Sequence, residues 1–188
     1  KEKEVLGRYF HLPVQSGSDK ILKAMRRKVT VAEYLTRVNW LRQAVPNIAI
    51  STDLIVGFPG ETDEDFEKTL DLVKKVRFCF GYAFMYSPRK GTGASRFVTQ
   101  VPEETKKTRL AKLNEVLNLI GGEETNKLLG TRQDVLFLYE SRKEKGVYYG
   151  RTPCYRLVRV KSGRSLIGKN LTVLIESGNQ TALSASLI

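Results

Sequence analysis

The sequence predicts an α/β segment followed by a small all-β barrel. Over the first ~90 residues, apolar runs of strand length alternate with stretches that are apolar at helical spacing. After Gly130, five short β-like runs recur at about 8–12 residue spacing, separated by Gly, Ser and Lys turns. Between the two textures lies one long amphipathic stretch that begins at Pro102-Glu103.

Val5 to Val14 reads as a strand running into the loop Pro13-Val-Gln-Ser-Gly-Ser18. Ser18 caps a helix over Asp19–Lys28, with Ile21, Leu22 and Met25 on one face and basic residues around the rest. Thr30 and Glu33 form a capping box for a second helix, whose apolar face is Val31, Tyr34, Leu35, Val38, Leu41 and Val45; Pro46 stops it. Ile48 to Val56 is rich in β-branched and apolar residues without strict alternation, as in a strand covered on both faces. Gly57 and Gly60 then bracket Phe58-Pro59, so the chain turns sharply and enters a helix capped by Thr62 with Asp65. Phe66, Leu70, Val73 and Val76 give that helix its apolar face, and Phe78–Tyr86 is the next strand. Glu61, Asp63, Glu64 and Asp65 crowd the turn with negative charge and no Gly-Lys-Ser/Thr follows, which excludes a nucleotide P-loop.

Strands alternating with helices imply a parallel sheet with right-handed crossovers. Only three strands are visible, so one edge lacks a partner. That points to part of a larger sheet or barrel, with exposed barrel-facing surface prone to self-association. The long helix carries Leu110, Leu113, Val116, Leu117 and Ile120, and Gly121-Gly122 is a candidate break or kink. Gln133–Tyr139, Gly146–Arg151, Tyr155–Val160, Leu171–Ile175 and Ala182–Leu187 then suggest a five-stranded antiparallel barrel of OB-like size. Residues 1–121 and 122–188 are the expected domains.

The 188 residues carry a formal net charge of +12, with 21 basic against 14 acidic residues through Gly121 and 11 against 6 after it. Such a surplus favours a polyanionic partner, nucleic acid first, over solubility alone. Arg151, Arg156, Arg159, Lys161 and Arg164 are interleaved with Tyr148, Tyr149 and Tyr155, and of these Arg151, Arg156, Arg159, Lys161, Tyr148 and Tyr155 are the candidate RNA contacts: guanidinium to phosphate, ring to base. The alternative is that the tyrosines are good strand formers and the arginines a solvated face. No apolar run is long enough to span a membrane, and the charged start does not resemble a signal peptide. Two distant cysteines, Cys79 and Cys154, fit a reducing cytoplasm and no metal-ligand spacing. His11, the single histidine, reads as a hydrogen-bonded strand residue.

Four stretches in order resemble one family: His11-Leu-Pro-Val-Gln-Ser-Gly-Ser18, Ser51-Thr-Asp-Leu-Ile-Val-Gly-Phe-Pro-Gly-Glu-Thr62, Tyr86-Ser-Pro-Arg-Lys-Gly-Thr92 and Gly150-Arg-Thr-Pro-Cys-Tyr-Arg156. They are similar to the radical-SAM tRNA methylthiotransferases, in particular the type that adds a methylthio group to isopentenyladenosine beside the anticodon. The resemblance covers essentially the whole chain. It implies that the first part is the C-terminal half of a radical-SAM partial (β/α) barrel, and that the end is a TRAM domain binding tRNA. It further implies S-adenosylmethionine and two [4Fe–4S] clusters in the full-length family, one on a Cys-x3-Cys-x2-Cys loop. The ligands of both clusters are missing from this sequence, and two cysteines cannot replace the three thiolates a cubane needs. The expectation is therefore an inactive C-terminal fragment with a partial S-adenosylmethionine site and a tRNA-binding surface; the alternative is a non-catalytic RNA-binding protein.

The resemblance places Gln15 and Ser16 near the methionyl or ribose part of S-adenosylmethionine. Ser51, Asp53 and Ile55 share one face of the central strand by alternation. Ile55 would bear on the adenine there, whereas Asp53 reads equally as a buried acid paired with an arginine. Arg89, after a strand end, would meet a carboxylate or the tRNA. The superfamily's Gly-x-Ile-x-Gly-x-x-Glu pattern is only approximate, with Asp53 in the first glycine's place and Glu61 one residue late.

Overall fold

The computed structural model describes residues 7–179 and 181–188, so the expected strand residues Val5 and Leu6 lie outside the described residues. The chain divides into two compact units, residues 10–120 and residues 121–188 together with residues 7–9. The expected division assigned Arg8 and Tyr9 to the first part. They group with the second because Arg8 N donates to Pro153 O at 2.8 Å and the Tyr9 ring stacks on Tyr155 at 4.7 Å.

The first unit, which takes up β1 (Tyr9–His11) from Phe10 onward, holds a sheet of β1, β2 (Ala49–Val56) and β3 (Phe80–Met85) in the order β1-β2-β3, with β2 and β3 parallel. The helices are α1 (Asp19–Ala24), α2 (Val31–Ala44) and α3 (Asp63–Val76). Both expected capping boxes are present: Thr30 with Glu33, and Thr62 with Asp65. The central strand carries the core because its apolar residues meet helices. Leu54 and Val56 are fully buried with Val38, Leu70, Val73 and Leu113. Each such side chain contributes roughly 1.5–3 kcal/mol over an exposed one.

Helix α1 stops at Ala24 rather than running to Lys28. Arg26 takes a positive φ of 60°, a left-handed conformation that cannot continue a right-handed helix. Strand β1 is short because Pro13 has no N–H to donate and Val14 N donates to Thr52 Oγ1 instead of a backbone carbonyl, so that only an isolated bridge from Gln15 to Leu54 extends the pairing. Helix α4 (Glu103–Asn126) passes through Gly121-Gly122 unbroken. Thr125 Oγ1 donates to Gly121 O at 2.7 Å there.

The second unit is a closed barrel of β4 (Arg132–Glu140), β5 (Val147–Arg151), β6 (Leu157–Lys161), β7 (Asn170–Gly178) and β8 (Leu183–Leu187), in the order β4-β5-β6-β8-β7. The five runs read from the sequence are these five strands. The sheet is not wholly antiparallel, because β6 and β8 pair in parallel. Period-2 patterning sets which residues face inward but not the direction of a partner strand, which follows from closure. Val135, Phe137, Val158, Val173, Ile175 and Leu183 fill the interior.

Candidate functional site

A cavity of about 920 Å³ opens in the first unit where β2 and β3 end at their carboxyl termini. Parallel α/β sheets bind ligands at that edge, because strand ends and their loops leave backbone groups free there. Gln15, Ile55 and Arg89 line the cavity, as do Met25, Phe58, Phe84, Tyr86 and Phe97. Its charged residues are Arg26, Arg27 and Arg89, and no Asp or Glu is among the lining residues described.

Gln15 is positioned by backbone and by clamps. Its N–H donates to Asp53 O, and its carbonyl accepts from Ile55 N, both at 2.9 Å. The following loop is fastened to α3: Gly17 N donates to Thr69 Oγ1 at 2.9 Å, and Ser18 Oγ to Asp65 Oδ1 at 2.7 Å. Lys20 Nζ reaches Asp65 Oδ2 at 2.7 Å and Gly60 O at 2.9 Å, tying the loop to the glycine turn. Gly17 is required, since a Cβ there would sit 2.3 Å from Lys68 O. Burial opposes ionisation of Asp65, but hydrogen bonds from Lys20, the Thr62 amide, Ser18 and the Thr62 hydroxyl outweigh it. They hold the carboxyl well below its ordinary range.

The acidic turn is largely structural. Gly57 and Gly60 both take positive φ, 72° and 82°. Glu61 turns inward, accepting from Gly57 N at 2.7 Å and from Arg109 Nη1 at 2.7 Å. Lys106 packs its stem against Gly57, where a Cβ would meet Lys106 Cγ at 2.3 Å.

The expected residues divide into three groups. Gln15, Ile55 and Arg89 come together at the cavity. Ser51 and Asp53 lie on the same face of β2 as Ile55 but contact His11: Nδ1 is 2.8 Å from Ser51 Oγ, and Nε2 is 3.5 Å from Asp53 Oδ2. Asp53 therefore partners a histidine rather than an arginine. Ser16 is fully buried and away from the cavity, its hydroxyl 3.4 Å from Thr69 Oγ1 and accepting from Ser18 N. Arg26 and Arg27 escaped the sequence reading because their place at the cavity depends on α1 ending at Ala24, and no spacing announces that. Glu61–Arg109 escaped it because the partners are 48 residues apart.

In the barrel, Tyr148 and Arg156 are buried rather than displayed. Tyr148 is on an inward position of β5, and Arg156 sits in the turn where Thr152 bonds its backbone N–H. Tyr155 precedes β6 at φ 67°; the Arg151 guanidinium lies 4.3 Å from its ring centroid. Arg159 donates to Glu144 at 3.0 Å, and Lys161 is exposed. Cys79 is buried and Cys154 half-buried, and neither is in a disulfide. Among the described residues, no group of three or more His, Cys, Asp or Glu is placed to hold a metal ion, and no helix is long and apolar enough to cross a membrane.

Among known families, residues 3–73 match the model of the radical SAM superfamily. The fold agrees, since coproporphyrinogen III oxidase from Escherichia coli, a radical SAM enzyme, superposes with a TM-score of 0.52 at 15% identity. The match covers 94% of this chain and 42% of that one. The particular relatives are proteins named tRNA-2-methylthio-N(6)-dimethylallyladenosine synthase. That of Stutzerimonas stutzeri is 46% identical over 97% of this chain, and that of Maricaulis maris 47% over 95%. That of Acetivibrio thermocellus is 43% identical over 96%. The resemblance drawn from the four motifs is borne out by these matches. The chain spans about two fifths of the relatives' length, 42%, 39% and 38% respectively.

Proposed function

We propose that this chain is the portion of a tRNA-2-methylthio-N(6)-dimethylallyladenosine synthase that shapes one side of the S-adenosylmethionine site and carries an RNA-binding barrel. The observation that carries this reading is 46% identity sustained over 97% of the chain, across both units. The cavity suits S-adenosylmethionine in kind. Ile55, Phe58 and Phe84 offer apolar walls for a purine, Gln15 a hydrogen-bonding group, and Arg89 a cation for the methionyl carboxylate. Ser51, Asp53 and His11 form a polar cluster on the same strand face as Ile55. When bound, S-adenosylmethionine supplies the methyl group and the one-electron chemistry of this class. A [4Fe–4S] cluster does not fit the residues present, since two thiols are fewer than a cubane needs and Cys79 is buried. This portion by itself is accordingly proposed to bind and position rather than to catalyse.

The second unit is proposed to be a TRAM-type, OB-like module for tRNA, with the domain boundary near Gly121. The strand order β4-β5-β6-β8-β7 with one parallel pair and the +5 charge after Gly121 support it. Two cysteines that form no disulfide support a reducing, cytoplasmic setting. Tyr82 and Phe84, 54% and 53% exposed on β3, support self-association of this portion when it is alone.

A chimera tests the activity. The matching two fifths of the Stutzerimonas stutzeri synthase is replaced by this chain, and 2-methylthio nucleosides are measured in digested tRNA. Product is expected from the chimera and a large loss from its Ile55→Arg variant, which replaces an apolar wall of the cavity by a bulkier cation. A folded chimera that makes no product, or one indifferent to Ile55→Arg, would count against the reading.

A further inference from the structure

On the outer wall of the barrel, strand register aligns three side chains across three neighbouring strands. Tyr139 on β4 pairs with Tyr149 on β5, and Tyr149 pairs with Arg159 on β6. The two rings stack, with centroids 5.4 Å apart and planes 18° apart. The next row is Leu136, Arg151 and Leu157.

This surface is built by a β-bulge. The β4–β5 register shifts between Phe137 and Tyr139. Strict alternation after the buried Phe137 would send Leu138 outward and Tyr139 into the core. The extra residue instead leaves both outside, at 47% and 48% exposure, beside Leu136 at 46%. Bulges re-aim side chains in this way, and this one creates a strip of aromatic and aliphatic surface where water would otherwise meet polar groups. Gly150 lets the strands close beneath it, since a Cβ there would lie 2.5 Å from Val135 Cγ1 and 2.6 Å from Leu136 O.

The border of the strip is cationic. Arg159 sits at the end of the tyrosine row, Arg151 in the next row, and the β4–β5 hairpin carries Arg142, Lys143 and Lys145 against Glu144. Flat rings edged with excess positive charge complement a ligand that has flat apolar faces and a chain of anions. An unpaired stretch of RNA has both, whereas a duplex keeps its base faces stacked inside.

We propose that the Tyr139–Tyr149 pair, bordered by Arg159 and the 141–146 hairpin, is a stacking platform for unpaired nucleotides of an RNA partner. The inference rests on the RNA reading of the barrel and gives it a location other than Tyr148 and Arg156, which are buried. The mutually stacked rings present their outer faces to bases, while guanidinium and ammonium groups meet the flanking phosphates.

The test measures fluorescence anisotropy of the whole chain with a short labelled single-stranded oligoribonucleotide and with a blunt duplex, each over a range of salt. Removing both rings with Y139A/Y149A is expected to weaken single-strand binding about 5- to 150-fold, the range for losing one stacked base. The salt slope is expected to stay unchanged. Y139F/Y149F should bind as the parent does, which also controls for folding. K143E/K145E should instead lower the salt slope. Parental affinity in a folded Y139A/Y149A protein overturns the platform and leaves the RNA reading intact. Equal loss on the duplex overturns the assignment to unpaired nucleotides. No binding by the parent even at low salt overturns both the platform and the RNA reading.

Discussion

Replacing Arg109 by methionine probes how the glycine turn beside the cavity is held. The Arg109 and Glu61 side chains are 7% and 1% exposed. The guanidinium donates to Glu61 Oε2 at 2.7 Å, to Glu61 O at 3.2 Å and to Asp63 Oδ1 at 2.7 Å. Methionine preserves much of the stem packing but leaves a buried carboxylate with the Gly57 amide as its remaining donor. Breaking a buried pair from one side costs about 3–5 kcal/mol. The bond to Asp63, whose side chain is 94% exposed, adds little. The loss should depend on pH in a defined direction. Burial pushes the Glu61 carboxyl above its ordinary value of 4.5, and the Gly57 amide and Arg109 only partly offset it. The folded state therefore binds more protons than the unfolded state just above that value, and stability falls as pH rises through the window. Without Arg109 the window extends upward. The R109M deficit should be largest at neutral pH and shrink as pH is lowered towards the carboxylate range, because a neutral acid needs no counter-charge. E61Q/R109M should recover much of the loss. Urea unfolding followed by circular dichroism at several pH values reads all of this. A deficit independent of pH, or a double variant less stable than R109M, would show that the charge of Glu61 does not need Arg109 to be held in the interior.

Two further substitutions probe the clamp behind Gln15. Asp65→Asn should cost about 2 kcal/mol or more at neutral pH, since charged hydrogen bonds to Lys20, Ser18 and Thr62 are weakened. Because the folded carboxyl titrates below its ordinary 3.8, the stabilisation is present above that pH and disappears as pH falls through the folded value. The variant should flatten the acid limb of the stability profile, and an unchanged limb would show that Asp65 does not drive it. Gly17→Ala should destabilise by about 1–3 kcal/mol in thermal melts, because a methyl 2.3 Å from Lys68 O forces the loop off α3; a neutral result would show that the close approach of this loop to α3 does not require glycine.

Much of the first unit is legible locally. Thr30 with Glu33 and Thr62 with Asp65 are capping boxes spelled out within four residues, and Ala49–Val56 announces a strand by its richness in apolar and β-branched residues without strict alternation. Part of the candidate site is not legible in this way. Ser16 sits in the motif beside Gln15, yet Thr69, 53 residues away, draws its hydroxyl into the protein interior. Tyr148 and Tyr149 are adjacent and chemically identical; the pleat buries the first and shows the second, and the β4–β5 pairing decides which.

What local sequence decided here is the order and type of elements, their caps, and the four motifs that tie the chain to its relatives. Those depend on neighbours within a turn or two, so one-dimensional patterns carry them. Packing decided the rest. The left-handed turn at Arg26 brings Arg26 and Arg27 to the cavity. The buried Glu61–Arg109 pair makes an acidic turn part of the scaffold, and closure of the barrel pairs β6 with β8 in parallel. The bulge at Leu138 puts Tyr139 on the surface. Each of these is set by groups distant in the chain competing for the same interior space, and periodicity along the sequence does not encode that competition.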